Sequence, residues 1–559
     1  MTSEADTLAA GRPRFSDPTL ARKAEREGVT AAWLESLATR SPQQAAAGLD
    51  GDFAIAVREP SGRTVLAVDR FAIRTLCYRI HEGRLRFAER ADQLADATSN
   101  VDPQAIFDYL YFHAIPSPRT VFDNVHRLPP GHCAWFEDGV LHVEPYWTPR
   151  FEPASRASFD ELKAEFRQLL HQAVARQLDG SVPACFLSGG TDSSTIAGLI
   201  GEVAGRPAAA YSIGFEAEGY DEMEYARIAA RRFGSTHHAY YVTPDDLVAS
   251  IPEAAAGLDQ PFGNSSTLPA FICARNAHRD GITRLLAGDG GDELFGGNSR
   301  YAKQRVFDAY AGVPSPLRGV LEGSLLHTPL GRLPLARKGA SYVEQARVPM
   351  PDRLQIYNLL LRLGTERVLT PNFRAAIDVS SPLAQQQAVW KAADAASPID
   401  RTLAYDWRYT LAENDLPKVR EATRLADVEV GFPLLDTDLL RFSMRLPAHY
   451  KLRGFTLRWF FKEALRGFLP DEIIAKKKHG FGLPFGVWAL RNPGLRELAF
   501  DSLASLARRD IVEPAFIDEL RDRRLAEHPG YYGEMVWVLM MLEQWLEQNG
   551  RRSTVAASA

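Results

Sequence analysis

The stretch Pro183-Ala-Cys-Phe-Leu-Ser-Gly-Gly-Thr-Asp-Ser-Ser194 decides the fold. Residues 183–187 are apolar or small and read as a buried strand. Ser188-Gly189-Gly190 makes a turn, and an apolar helix follows over 195–203, its start near Ser193. Glycines let backbone N–H groups approach an anion closely. A helix N-terminus adds unpaired donors and the positive end of a dipole. Asp192 supplies a carboxylate that can hold a Mg²⁺ bridging phosphates. No Gly-Lys-Ser/Thr follows, so this is not a Walker loop. Taken alone, the segment also fits a plain strand-to-helix turn capped by Ser or Asp.

Working outward, a second glycine-rich stretch is Leu286-Ala-Gly-Asp-Gly-Gly-Asp-Glu-Leu-Phe-Gly-Gly297, at the end of a strand over 283–287. Asp289, Asp292 and Glu293 crowd one loop. Like charges so close repel, so a cation or basic partner is expected. The spacing is not that of an EF-hand. Two such loops on successive strand ends mark the edge of an open α/β sheet where ligands bind. A strand over 208–215 and an amphipathic helix over 159–177 complete an alternation that predicts a parallel sheet. Beyond about residue 314 the pattern is mainly helical. Short apolar runs at 53–57, 64–68, 85–87 and 132–136 alternate with turns and predict a small β-rich domain. Residues 148–158 read as a linker. The expected organisation is a domain over 1–150, a second over 151–550, and a disordered tail over 551–559.

The 559 residues carry a formal net charge of −5, with 45% hydrophobic and 24% charged residues. This is an ordinary globular balance, with no support for a nucleic-acid or membrane partner. Cys77, Cys133, Cys185 and Cys273 show neither zinc-site nor redox spacing. No secretory signal and no apolar run of spanning length is visible, so a cytoplasmic protein is expected.

The pair Ser188-Gly-Gly-Thr-Asp-Ser193 and Gly288-Asp-Gly-Gly-Asp-Glu-Leu-Phe-Gly-Gly297 resembles the asparagine synthetase family. So do Ser212-Ile-Gly-Phe215, Asp259-Gln-Pro-Phe262, Pro433-Leu-Leu-Asp436 and Lys478-His-Gly-Phe-Gly-Leu-Pro484. The first segment is similar to the pyrophosphate loop of N-type ATP pyrophosphatases. The resemblance implies a five-stranded parallel sheet flanked by helices and a helical C-terminal part. The small domain is similar to a degenerate Ntn-type glutamine amidotransferase. Ala47-Gly-Leu-Asp-Gly-Asp-Phe-Ala-Ile-Ala56, Val68-Asp-Arg-Phe-Ala-Ile-Arg-Thr-Leu76 and Arg127-Leu-Pro-Pro-Gly-His132 carry that likeness. It departs where it matters for glutamine: Thr2 stands at the place of the family's nucleophilic cysteine. The arginine and Asn-Gly-Glu segments that hold glutamine have no convincing equivalent.

The resemblance implies an ATP-dependent carbon–nitrogen ligase that forms an acyl-adenylate, releases pyrophosphate and then admits an amine. Ser188, Gly189, Gly190, Asp192, Ser193 and Gly288 would hold the phosphates. Leu187, Ser212, Ile213 and Gly214 would flank adenine. Asp192 and Asp292 would bind Mg²⁺. Lys478 would stabilise charge developing in the reaction, while Lys476 and Lys477 read as solvated surface charges. Asp289 would orient or deprotonate the amine, or help place ATP or metal. Lys418-Val-Arg-Glu421 and Gly431 depart from the family's pattern: Arg420 and Glu421 exchange an acid and a base, which can preserve a salt bridge, and Gly431 replaces an arginine. That loss bears on which acid is activated. The carboxylate is a small molecule or a peptide, and the acceptor is ammonia or an amine. Ring closure, as in β-lactam synthetases or lasso-peptide cyclases, and amidation of a sugar uronate stay open, as does a homodimer. A non-catalytic scaffold is the contrasting reading.

Overall fold

The computed structural model describes residues 6–152, 155–217, 219–326, 334–476 and 482–549. The tail expected to be disordered, Thr2, Lys477 and Lys478 lie outside the described residues.

In the N-terminal part, β1 (Thr7–Gly11), β2 (Phe53–Arg58), β3 (Thr64–Val68), β4 (His132–Glu137) and β5 (Val140–Pro145) form one antiparallel sheet in that order. Alternate side chains of β2 and β3 enter two different cores. Phe53, Ile55, Val57, Val65 and Ala67 pack with Trp33 and Leu37. Ala54, Ala56, Leu66 and Val68 pack with Leu76 and Leu128. Burial on both faces is why these strands read as continuous apolar runs. The turn after β3 is set by buried Asp69, whose carboxylate accepts the N–H groups of Phe53, Phe71, Ile73 and Arg74 at 3.0–3.1 Å. Helix α1 (Pro103–Phe112) is capped by Asp102 and followed by His113 in the left-handed region.

Helix α2 (Phe159–Gln177) starts with a capping box between Ser158 and Glu161. Then come β6 (Ala184–Phe186), α3 (Thr191–Ala204), β7 (Ala209–Phe215), α4 (Met223–Phe233), β8 (Thr236–Val242), α5 (Thr267–Arg279), β9 (Arg284–Leu286), α6 (Leu416–Leu425) and β10 (Glu429–Gly431). The strands form a parallel sheet of order β8-β7-β6-β9-β10. The chain leaves central β6 on one side and returns on the other at β9. Its topological switch point, where ligands bind in such sheets, therefore lies between the loops that follow these two strands. The expected α/β class and five-stranded parallel sheet are what is found. β8 and β10 were not predicted. β8 is an edge strand with polar, partly exposed residues, and β10 has only three residues. Helix α3 begins at Thr191, earlier than the apolar run suggested.

A mainly helical part follows, ending in the buried helix α7 (Pro529–Gln548). Immediately before α6, residues Trp407–Asp415 form a π-helical segment, a widened turn frequent at functional sites. The two parts of the chain are joined by side chains. Arg14 pairs with Asp436 at 3.1 Å, Arg441 with Asp50 at 3.0 Å, and the Tyr109 hydroxyl donates to the Val538 carbonyl at 2.7 Å.

Candidate active site

The loop after β6 is held by its own hydroxyls. Ser188 N–H donates to Ser193 Oγ at 3.2 Å, and the two serine hydroxyls lie 3.0 Å apart. Gly189 has φ +70°, and a Cβ there would strike the Tyr225–Ala226 backbone. Only glycine therefore lets the loop pass under α4. The first turn of α3, with Asp192 and Ser193, opens onto this loop. The loop after β9 lies directly against it: a Cβ on Gly288 would come within 2.7 Å of Ser193 N. Ser188, Gly189, Gly190, Asp192, Ser193, Gly288, Asp289 and Asp292 are thus gathered at one sheet edge.

Asp192 and Asp292 converge on one cation. Arg458 Nη1 donates to Asp192 Oδ2 at 2.8 Å and to Asp292 Oδ1 at 2.7 Å, and Nη2 pairs with the other Asp192 oxygen. The same guanidinium reaches Thr191 Oγ1 at 3.1 Å and lies over the Phe461 ring. Arg458 is 5% exposed and has φ +54°, a conformation that costs a non-glycine residue about 1–3 kcal/mol. Burial works against its charge, but Asp192 and then Asp292 outweigh it and raise its pKa. The pair suits Mg²⁺, which is usually bound through one or two carboxylates plus phosphates and water. Two carboxylates that share one positive nitrogen are already placed for a single small cation. Among the described residues no group of three or more His, Cys, Asp or Glu is gathered for a metal.

Asp289 has a different partner. Its carboxylate accepts from Lys418 Nζ at 3.3 Å, and Lys418 also donates to Asp415 at 3.1 Å. Burial raises the Asp289 pKa, and the Lys418 ammonium opposes it. Burial disfavours the Lys418 charge, yet Asp415 and Asp289 overcome this and keep it protonated. The π-helical segment is tied to the same loop by Trp407 Nε1, which donates to the Glu293 carbonyl at 2.9 Å.

Toward β7, Leu187 is a core residue, 1% exposed. Its side chain enters the core, while its carbonyl accepts from Ser212 Oγ at 2.5 Å. That hydroxyl also meets His237 Nε2 on β8 at 2.8 Å. Ile213 and Gly214 continue β7 to the same edge of the sheet. Lys476, expected as a solvated charge, is instead nearly buried, 3.0 Å from Glu222 and over the Tyr225 ring.

The departures near the end of α6 are explained by space and charge. Arg420 and Glu421 do form a bridge, at 3.2 Å, which Arg424 joins at 2.8 Å. The space beside Gly431 is filled from a neighbouring strand. A Cβ on Gly431 would lie 2.8 Å from Arg284 Nη2, and that guanidinium binds Gln177 and Glu429 at 2.6 Å. A positive group is therefore still present beside Gly431.

Arg458, Lys418, Thr191 and His237 were not named as site residues from sequence. Lys418 had a signal, since it opens a family-like motif. Arg458 had none: it follows a hairpin, and its approach depends on a left-handed backbone.

These features define an α/β protein with two glycine-rich loops meeting at the switch point of its parallel sheet. The asparagine synthase family profile matches residues 165–547, and that of the glutamine amidotransferase domain matches residues 30–147. The chain belongs to the asparagine synthase family and is a carbon–nitrogen ligase with ATP as a substrate. It is 27% identical over 517 residues to a putative glutamine-hydrolyzing asparagine synthetase of Mycobacterium tuberculosis, covering 89% of this chain and 76% of the relative. Glutamine-hydrolyzing asparagine synthetase 1 of Bacillus subtilis is 25% identical, over 80% of this chain and 70% of the relative. The amidase chry2 of Gibberella zeae is 23% identical, over 79% and 70%. Among the described residues no helix is long and apolar enough to cross a membrane.

Proposed function

We propose that the chain activates a carboxylate as an acyl-adenylate and joins it to ammonia or an amine that its own N-terminal domain does not generate. The observation that carries this reading is the contact between the two glycine-rich loops, with Asp192 and Asp292 converging on one cationic nitrogen. Ser188, Gly189, Gly190, Ser193 and Gly288 cradle the β- and γ-phosphates through N–H groups, hydroxyls and the dipole of α3. The backbone of Leu187 and of Ser212–Gly214 flanks adenine. Bound through Asp192 and Asp292, Mg²⁺ supplies charge neutralisation for the pyrophosphate. A carboxylate oxygen of the acid attacks the α-phosphorus and pyrophosphate leaves. The amine then attacks the acyl carbon, AMP leaves, and Asp289 takes the amine's proton with Lys418 holding its carboxylate in place. Lys478 is proposed to face the charge developing in both steps.

For the amine source, the N-terminal part offers no activated thiol. Cys77 and Cys133 are buried, and burial pushes both pKa values up, that of Cys133 to about 12. A reactive cysteine needs the opposite. The segments that hold glutamine in relatives also have no convincing equivalent in the sequence. The acid and the acceptor are not chosen by this geometry: ammonia, an amine within the same molecule, and the N-terminal amine of a peptide all fit the chemistry. Glutamate release from glutamine is the test. None above background is expected, while ammonium or hydroxylamine supports ATP consumption with the proper acid. Glutamate release coupled to amide formation would refute the proposal.

A further inference from the structure

Two carboxylates aimed at one point repel unless a cation lies between them. Asp192 and Asp292 meet that condition through a side chain, since Arg458 Nη1 bonds both. A guanidinium and Mg²⁺ cannot occupy the same point. Arg458 is also incompletely satisfied where it sits: its Nε is buried with no acceptor among the described residues. Its backbone is anchored independently, Arg458 N–H donating to the Gly296 carbonyl at 3.2 Å. The side chain can thus leave while its attachment stays.

We propose that Arg458 is a resident cation that holds Asp192 and Asp292 together in the nucleotide-free protein, yields them to Mg²⁺ when nucleotide arrives, and turns its guanidinium onto the phosphates. This rests on the reading of the site as a nucleotide site. The exchange keeps a cation on the two carboxylates throughout. Before binding, the Arg458 guanidinium lies on both carboxylates. Afterwards the metal faces them, and the guanidinium faces phosphate oxygens, with which its fork makes paired hydrogen bonds. Thr191 Oγ1, 3.1 Å from Nη1, marks the path, since it begins α3 beside the phosphate cradle. Metal and nucleotide therefore bind with positive coupling. Metal alone has to displace Arg458 from both acids, whereas metal with nucleotide gives Arg458 a new partner.

The signature is a pair of opposite effects. Mn²⁺ binding is read by electron paramagnetic resonance without nucleotide, and Mg·ATP binding by calorimetry, for the full chain and for Arg458→Met. The variant should bind Mn²⁺ alone at least about tenfold tighter than the parent and Mg·ATP at least about tenfold weaker. A merely structural arginine would weaken both. Should Arg458→Met not fold, Arg458→Lys is read in the same way, with the same two signs and smaller size. Folded variants that bind Mn²⁺ alone no tighter than the parent would overturn the inference and leave the nucleotide reading standing. A parent chain that binds no Mg·ATP would overturn both.

Discussion

Asp289 and Lys418 show how burial tunes a proposed base. Burial raises the Asp289 pKa and the ammonium 3.3 Å away opposes it. Because Asp289 acts as a carboxylate, activity falls as pH drops through its pKa, so the acid limb lies above that of an exposed aspartate at about 3.9. Replacing Lys418 with Met removes the opposing charge, so the pKa rises and the limb moves to higher pH. Asp289→Asn should remove most of the activity. The check is the pH profile of kcat with hydroxylamine as acceptor, its unprotonated form held at a constant saturating concentration at every pH. An acid limb unmoved in Lys418→Met would contradict this assignment. At this scale the sequence was informative where residue types cluster locally. Ser188 to Ser193 and Gly288 to Asp292 are adjacent in the chain, so their chemistry shows in a short window. Arg458 reaches the same acids across more than one hundred and fifty residues of chain, and no spacing reports such an approach.

Among the elements, the π-helical segment Trp407–Asp415 links the N-terminal part to the site, because it leads directly into α6 and Lys418. Its Glu413 is buried and accepts from Arg127 at 2.8 Å, Ser117 at 2.7 Å and Arg408 at 2.8 Å. Arg127 also donates to the Ile115 carbonyl at 2.6 Å. Arg127→Met leaves part of this buried charge cluster uncompensated and should destabilise the protein by about 3 kcal/mol. It should also lower kcat by about tenfold or more, by letting Lys418 shift. Urea unfolding and steady-state rates measure the two effects. Stability within about 0.5 kcal/mol of the parent would show that the cluster does not brace the segment. Helix α2 was legible to its ends, since its amphipathic run sits between a Ser-x-x-Glu cap and a polar stretch. Buried β2, β3 and β6 were also legible as apolar runs. The π-helical segment was not, because a widened turn leaves no distinct periodicity in nine residues. Edge strand β8 was hidden for another reason: its residues follow solvent exposure rather than a buried-strand pattern.

Over the whole molecule, a β-rich part is fastened by buried polar contacts to an α/β part whose switch point carries two glycine-rich loops. On the proposed reading, the N-terminal part acts on the chemistry by bracing the ligase site. The parallel sheet was legible from the alternation of its segments, but its order, and hence the juxtaposition of the loops after β6 and β9, came only with the fold. The central claim is that the acid's own oxygen attacks the α-phosphorus of ATP. A panel of carboxylates, beginning with aspartate and including peptide and uronate acids, is screened for ATP consumption with an amine. The acid that drives turnover is then supplied with ¹⁸O in its carboxyl group, and the phosphorus products are read by ³¹P NMR and mass spectrometry. The account predicts AMP carrying one ¹⁸O together with unlabelled pyrophosphate; ADP with ¹⁸O in inorganic phosphate would contradict it.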